Sequence, residues 1–164
     1  MTSTYVGLAQ TTLSSATSTV TFSSIPATYR DLIIVADAIG STTATGGYTG
    51  IRFNSDSGNN YSRVYMVGNG SSAVSASESS VNYLNAFTFP ASNSNARASL
   101  VFQIMDYAQT NKHKTCLLRE TDPIQFTVAT AGRWASTSAV TTILLQAISN
   151  NFGAGSTFSL YGVN

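Results

Sequence analysis

The residues able to move a proton, attack a carbonyl or hold a metal are few, and they are scattered. The one imidazole is His113, within residues 109–114 (QTNKHK), a polar run between two strand candidates. Its neighbours in this run are polar, so His113 reads as an exposed loop residue and not as a catalytic or metal-binding one. The one thiol, Cys116 in TCLL, reads as a small hydrophobe of the core. A single cysteine excludes an intramolecular disulfide and any multi-cysteine metal centre. Of the seven carboxylates, Glu120 and Asp122 lie on one side of an extended segment beside Arg119. A glycosidase needs two carboxyl groups at a set separation. Here the expected role is ion pairing with Arg119 or Arg133, and no catalytic residue is assigned.

Other motifs are equally sparing. Asn54, Asp56 and Asn60 in NSDSGNN offer oxygens at even spacing around Gly58, as calcium loops do, but only Asp56 is charged. An ordinary turn is the reading, with no metal and no cofactor. Residues 153–156 (GAGS) resemble a phosphate cradle, yet they precede a strand where an anion site needs a helix N-terminus, so a hairpin turn is expected. Neither a G-x-S-x-G elbow, a Walker loop nor a dinucleotide fingerprint is present. Eight Tyr and one Trp are the residues best suited to recognition by contact, because each joins a large apolar ring to a hydrogen-bonding end.

The elements that position these side chains repeat with period two. Residues 99–106 (SLVFQIMD) alternate between two sides, as do 31–38, 61–67, 124–131, 140–147 and 157–163. Shorter strand candidates are 5–9, 19–22, 50–53, 73–76, 85–89 and 115–118, rich in β-branched and aromatic residues. Turn clusters such as SDSGNN, GNGSS, PASNSN and NNFGAG punctuate the chain about every 10 residues. One short helical turn is expected at 25–30, begun by Pro26. Residues 71–80 (SSAVSASESS) read as a mobile loop or an edge strand. The fold class is all-β: a β-sandwich or jelly roll of about ten to twelve short strands in one domain spanning 1–164.

Composition narrows the functions further. Ser and Thr supply 24 and 22 of the 164 residues, whereas charged residues make up only 9% and net charge is +1. Without clustered Lys and Arg there is no field for nucleic acid or an anionic membrane. The longest apolar stretches, 32–36 and 143–145, fall far short of the roughly 20 residues of a membrane span. The run MTSTYVGLAQ lacks the basic start and apolar core of a secretory signal, which predicts synthesis in the cytoplasm.

Several runs together resemble a known class. Residues 13–36 (LSSATSTVTFSSIPATYRDLIIVA), 53–62 (FNSDSGNNYS), 68–72 (GNGSS), 105–114 (MDYAQTNKHK), 132–142 (GRWASTSAVTT) and 151–163 (NFGAGSTFSLYGV) resemble, in order, small structural proteins encoded by tailed bacteriophages. The resemblance implies a virion component, either a capsid decoration or a part of a tail or fibre. The leading expectation is a non-enzymatic decoration (cement) protein that binds the major capsid protein or another virion protein. Assembly as a homo-oligomer is expected, with a trimer favoured by the symmetry of capsid sites. Candidate contacts are Thr2, Ser3, Thr4, Tyr5, Val6 and Leu8, with 1–12 as an arm toward a neighbour, and a basic tip of Lys112, His113 and Lys114. The alternative is a tail or fibre module gripping host glycan through Tyr48, Tyr61, Tyr65 and Trp134.

Overall fold

The computed structural model describes residues 4–93, 95–122 and 125–164. Its elements are β1 (Tyr5–Thr12), β2 (Thr19–Phe22), β3 (Asp31–Ala38), β4 (Gly47–Phe53), β5 (Tyr61–Gly68), β6 (Ala73–Val81), β7 (Leu84–Phe89), β8 (Ala98–Met105), β9 (Lys114–Asp122), β10 (Phe126–Trp134), β11 (Ile143–Ser149) and β12 (Thr157–Val163). Eight strands pair in the order β1-β12-β3-β8-β9-β10-β5-β6, and four more in the order β2-β11-β4-β7. Every pairing is antiparallel, so the chain is an all-β, sandwich-like fold of two sheets.

Alternation explains which side of each strand meets the other sheet. In β3, Leu32, Ile34, Ala36 and Ala38 are buried; in β8, Ala98, Leu100, Phe102 and Ile104 are. They share the interior with Ile51 and Phe53 of β4 and Ile143 and Leu145 of β11. Two aromatic groups anchor it. Phe53 stacks on Phe102 and meets Trp134 at 5.5 Å between ring centres, while Phe152 joins Phe89 at 5.2 Å and Phe158 at 5.0 Å. Gly132 makes room for this packing, since a Cβ there would stand 2.5 Å from Leu84 Cδ2.

Several expectations change. Residues 25–30 form no helical turn, because their backbone groups bond outward: Ile25 N to Thr141 O at 3.0 Å, Arg30 N to Val163 O at 2.9 Å, and Pro26 O to the Tyr107 hydroxyl. The stretch 71–80 supplies β6, an edge strand of the larger sheet. Residues 153–156 make no hairpin, since β11 and β12 belong to different sheets; Gly153 N and Gly155 N bond instead to Ile39 O and Leu13 O. β11 starts at Ile143 because the amides of Val140, Thr141 and Thr142 go to Tyr107 O and to Asn54 Oδ1. β10 runs on to Trp134, and Ile124, expected to open it, lies outside the described residues. β9 is longer than the expected 115–118, and β1 is no free arm: from Tyr5 to Thr12 it pairs with β12.

Candidate functional site

The carboxylate of Asp56 is the hub of the turn between β4 and β5. It accepts hydrogen bonds from Trp134 Nε1 at 2.6 Å, Gly58 N at 2.8 Å and Asn60 Nδ2 at 2.9 Å. Burial acts to raise its pKa, but these bonds outweigh burial and hold it below the usual carboxylate range. Asn54 Oδ1 accepts from the amides of Thr141 and Thr142 at 2.9 and 3.1 Å. The Asn54 and Asp56 side-chain oxygens of the calcium-loop spacing are thus committed to protein donors, and Asn60 supplies its Nδ2 as one of them.

Tyr61 and Trp134 face each other in the β5–β10 ladder, with 0% and 2% of their surface exposed. Both are removed from the set of glycan contacts. The Tyr61 hydroxyl accepts from Phe53 N at 3.0 Å and donates to Asp56 O at 3.1 Å, and burial, the largest influence, pushes the phenol up to about 12. Their rings complete the core because the turn at 54–60 supplies each polar end with a partner.

The expected basic tip also divides. Lys112 and His113 are exposed on the loop between β8 and β9, with Lys112 Nζ 2.6 Å from Asp106 Oδ2. Lys114 is fully buried, and its Nζ donates to the carbonyls of Gln109, Lys112 and Thr137 at 2.6, 3.0 and 3.1 Å. Three carbonyls replace water around the ammonium, so Lys114 fastens the loop and is no surface contact. Burial, then the charge of Lys112, lowers its pKa. At the N-terminus, Thr2 and Ser3 lie outside the described residues; Thr4 and Tyr5 are exposed, Val6 is half-buried and Leu8 packs against the core.

Two surfaces emerge that the candidates only touched. One is the outer face of the larger sheet. Val35 pairs across the ladder with Val101, Leu117 with Ala131, Ala131 with Val64, and Ala129 with Met66, and the larger of these side chains point to solvent. Val64 and Met66 are 59% and 64% exposed. Small alanines on β10 between larger neighbours on β9 and β5 leave a trough of about 510 Å³. The sheet continues to two edges: β1 (YVGLAQTT) carries no charged residue, and β6 (AVSASESSV) has only Glu78, whose carboxylate turns to Arg63. The signal for this face was present in β3 and β8, whose outward positions include Ile33, Val35, Val101 and Met105; apolar residues at both parities mark strands with two faces to cover.

The other surface is a groove of about 410 Å³ where β5, β9 and β10 of one sheet meet β4 and β7 of the other. Tyr48 and Tyr65 lie on it, joined by Tyr83, Asn85 and Phe126, none of which sequence reasoning had singled out. Glu120 lines it and is 6% exposed. It is not paired with Arg119 or Arg133, which point to the opposite, solvent-facing side of their strands; Thr88 N donates to its Oε1 at 3.3 Å. Burial pushes the Glu120 carboxyl up to about 7, against the lowering effects of Thr88 and the charge of Arg63. Cys116 is buried in the same strand, and burial raises its thiol well above the ordinary range.

No family model and no curated protein matches the chain. Among solved structures, a Shewanella oneidensis MR-1 protein of unknown function aligns at 9% identity and a TM-score of 0.20, covering 85% of this chain and 61% of its own length. The chain therefore spans under two thirds of that protein.

Proposed function

We propose that this chain is a non-enzymatic structural protein of a bacteriophage particle, a capsid decoration protein that docks on the major capsid protein. The observation that carries the reading is the outer face of the eight-stranded sheet, where Val35, Val101, Leu117, Val64 and Met66 are exposed around Arg119, between edge strand β1, which has no charged residue, and edge strand β6, whose one carboxylate is paired with Arg63. Soluble monomers seldom leave large clusters of apolar side chains uncovered, and edge strands are ordinarily blunted by Lys or Pro. The resemblance to phage structural proteins supplies the particle, and the sheet face supplies the means of attachment. Burial at many copies adds, so that each docked molecule raises the cost of shell expansion. A low net charge lets copies sit side by side, as trimers in the favoured arrangement.

The chemistry-bearing side chains support the same reading by where they are placed. Asp56 serves a turn, Lys114 fastens a loop, and His113 stands exposed away from both concave surfaces. The test is a binding assay with purified shells. Wild-type chain is expected to bind and to raise their heat and osmotic resistance. A Val64→Lys, Met66→Lys double variant should bind at least about 10-fold more weakly with stability changed by under about 1 kcal/mol, as befits exposed positions. Equal binding by both forms, or no gain in shell resistance, overturns the reading.

A further inference from the structure

We infer that the groove between the two sheets is a binding site for a neutral saccharide ring. Its lining combines aromatic faces with a small number of buried polar groups, and about 410 Å³ falls in the range of small-molecule sites. Tyr48, Tyr65 and Tyr83 are each half-buried, so each presents part of its ring to the groove while the rest is held by the protein. Arg63 fixes one of these rings by lying over Tyr65 at 4.2 Å, a geometry that leaves little conformational entropy for a ligand to remove.

The electrostatics select an uncharged ligand. The Arg63 guanidinium is the cation nearest the groove, and it is already spent: Nε and Nη2 reach the two oxygens of Glu78 at 2.8 and 2.9 Å, and Nη1 reaches Asn85 O at 3.0 Å. Arg52, 6.0 Å from the centre of the Tyr83 ring, is likewise engaged, by Asn82 O and Gln146 Oε1, so an anion entering the groove meets guanidinium groups already held by protein oxygens. Glu120 offers the complementary feature. The residue is 6% exposed and lines the groove, and its carboxyl takes its hydrogen bonds from Thr88, the backbone one long at 3.3 Å, which a ligand hydroxyl can supplement. A buried carboxyl, aromatic faces and a neutralised arginine match the alternating C–H and O–H surface of a pyranose. This site lies on the inner side of β5 and β10, opposite the outer face, so its test is separate from that of shell docking.

The experiment is an NMR titration of the full, isotopically labelled chain with glucose, galactose, mannose and N-acetylglucosamine to tens of millimolar, with glucuronic acid as the anionic arm. The expected result is saturable shifts at Tyr48, Tyr65, Asn85 and Glu120 for at least one neutral sugar, with a Kd of about 1 mM. Tyr65→Ala and Glu120→Leu should each weaken that binding at least about 10-fold. Glu120→Gln, which keeps a donor and an acceptor, should stay within about 3-fold, and Val64→Lys on the opposite face should change nothing. Thermal melts of each variant establish that it is folded, and Glu120→Gln carries the test if Glu120→Leu is not. Absence of shifts with every neutral sugar, binding of glucuronic acid alone, or shifts that survive Tyr65→Ala overturns the assignment.

Discussion

Strands β5 and β10 run side by side from one end of the sandwich to the other, and their two ends differ in kind. At the first, Tyr61 lies opposite Trp134, and Phe53 and Phe102 complete a dry aromatic cluster. At the second, Val67 lies opposite Val128 beside Tyr65, on a groove open to solvent. What covers each end makes the difference. The turn at 54–60 folds over the first and brings the Asp56 carboxylate to the Trp134 indole, whereas β7 is the last strand of the small sheet and leaves the inner side of β5 and β6 partly uncovered. The two carboxyl groups consequently depart from ordinary values in opposite directions: Asp56 is satisfied by donors and lowered, Glu120 is buried with few donors and raised. Depth and hydrogen-bond supply act together: Glu120 is the more deeply buried and the less well supplied with donors.

The contrast is broken most severely by removing the aromatic anchor of the closed end. Trp134→Ala deletes a ring that is 2% exposed and leaves Asp56 without its indole donor. The expected loss is about 3–5 kcal/mol, a large part of the roughly 5–15 kcal/mol that holds a domain of this kind together. Tyr65→Ala at the open end should cost about 1 kcal/mol, since half of its ring already meets water. Urea unfolding followed by tryptophan fluorescence for Tyr65→Ala, and by circular dichroism for both, measures the two midpoints. Equal losses would mean that the ends are packed alike.

The second effect separates the ends by pH. The Glu120 carboxyl has a folded value of about 7 against an ordinary 4.5, so between those values the folded state holds a proton that the unfolded state has released. Stability therefore falls as pH rises from about 4.5 to about 7, by at most about 3 kcal/mol at 1.36 kcal/mol per pH unit, and stays lower above that window. Glu120→Gln abolishes this slope and should make the protein more stable than wild type at pH 8 and little changed at pH 4. Thermal melts across that range test it, and parallel curves for the two proteins would show that Glu120 is ordinarily hydrated.

The same contrast shows what was legible from residues alone. Strands β2, β3 and β12 are legible to the residue because their inward and outward positions alternate along the whole strand, with the two carboxylates of β3, Asp31 and Asp37, both at outward positions. β9 outruns the apolar residues 115–118 because the extended segment of Arg119, Glu120 and Asp122 continues the ladder, with Arg119 facing solvent and Glu120 the groove. Lys114 was read as a surface cation because the carbonyls that bury it come from residues 109, 112 and 137, which only the closed fold gathers. Tyr61 and Trp134 were offered as sugar contacts for a similar reason: an aromatic ring announces a preference for contact but not its partner, and their pairing is a matter of sheet register. Tyr48 and Tyr65 carried the same signal and do reach a groove, so composition identified the kind of residue while topology chose which ones.

The smallest expected effect sharpens the comparison from the acid side. Asp56 has its folded pKa held below the ordinary 3.8, so its contribution is present above the unfolded value and is lost as pH falls through the folded one. Asp56→Asn keeps one oxygen for the Trp134 indole but gives up the charge that strengthens the bonds from Trp134, Gly58 and Asn60. The cost near neutral pH should be about 1 kcal/mol, the usual scale of one weakened hydrogen bond. Below about pH 4 that cost should shrink toward zero, because the unfolded carboxyl takes up its proton first and the folded one follows at its lower value. Chemical denaturation of both proteins at pH 7 and pH 3 reads this directly. A gap that stays constant between the two would make Asp56 a shape-filling residue, and would leave packing alone, without hydrogen-bond supply, as the distinction between the closed end and the open one.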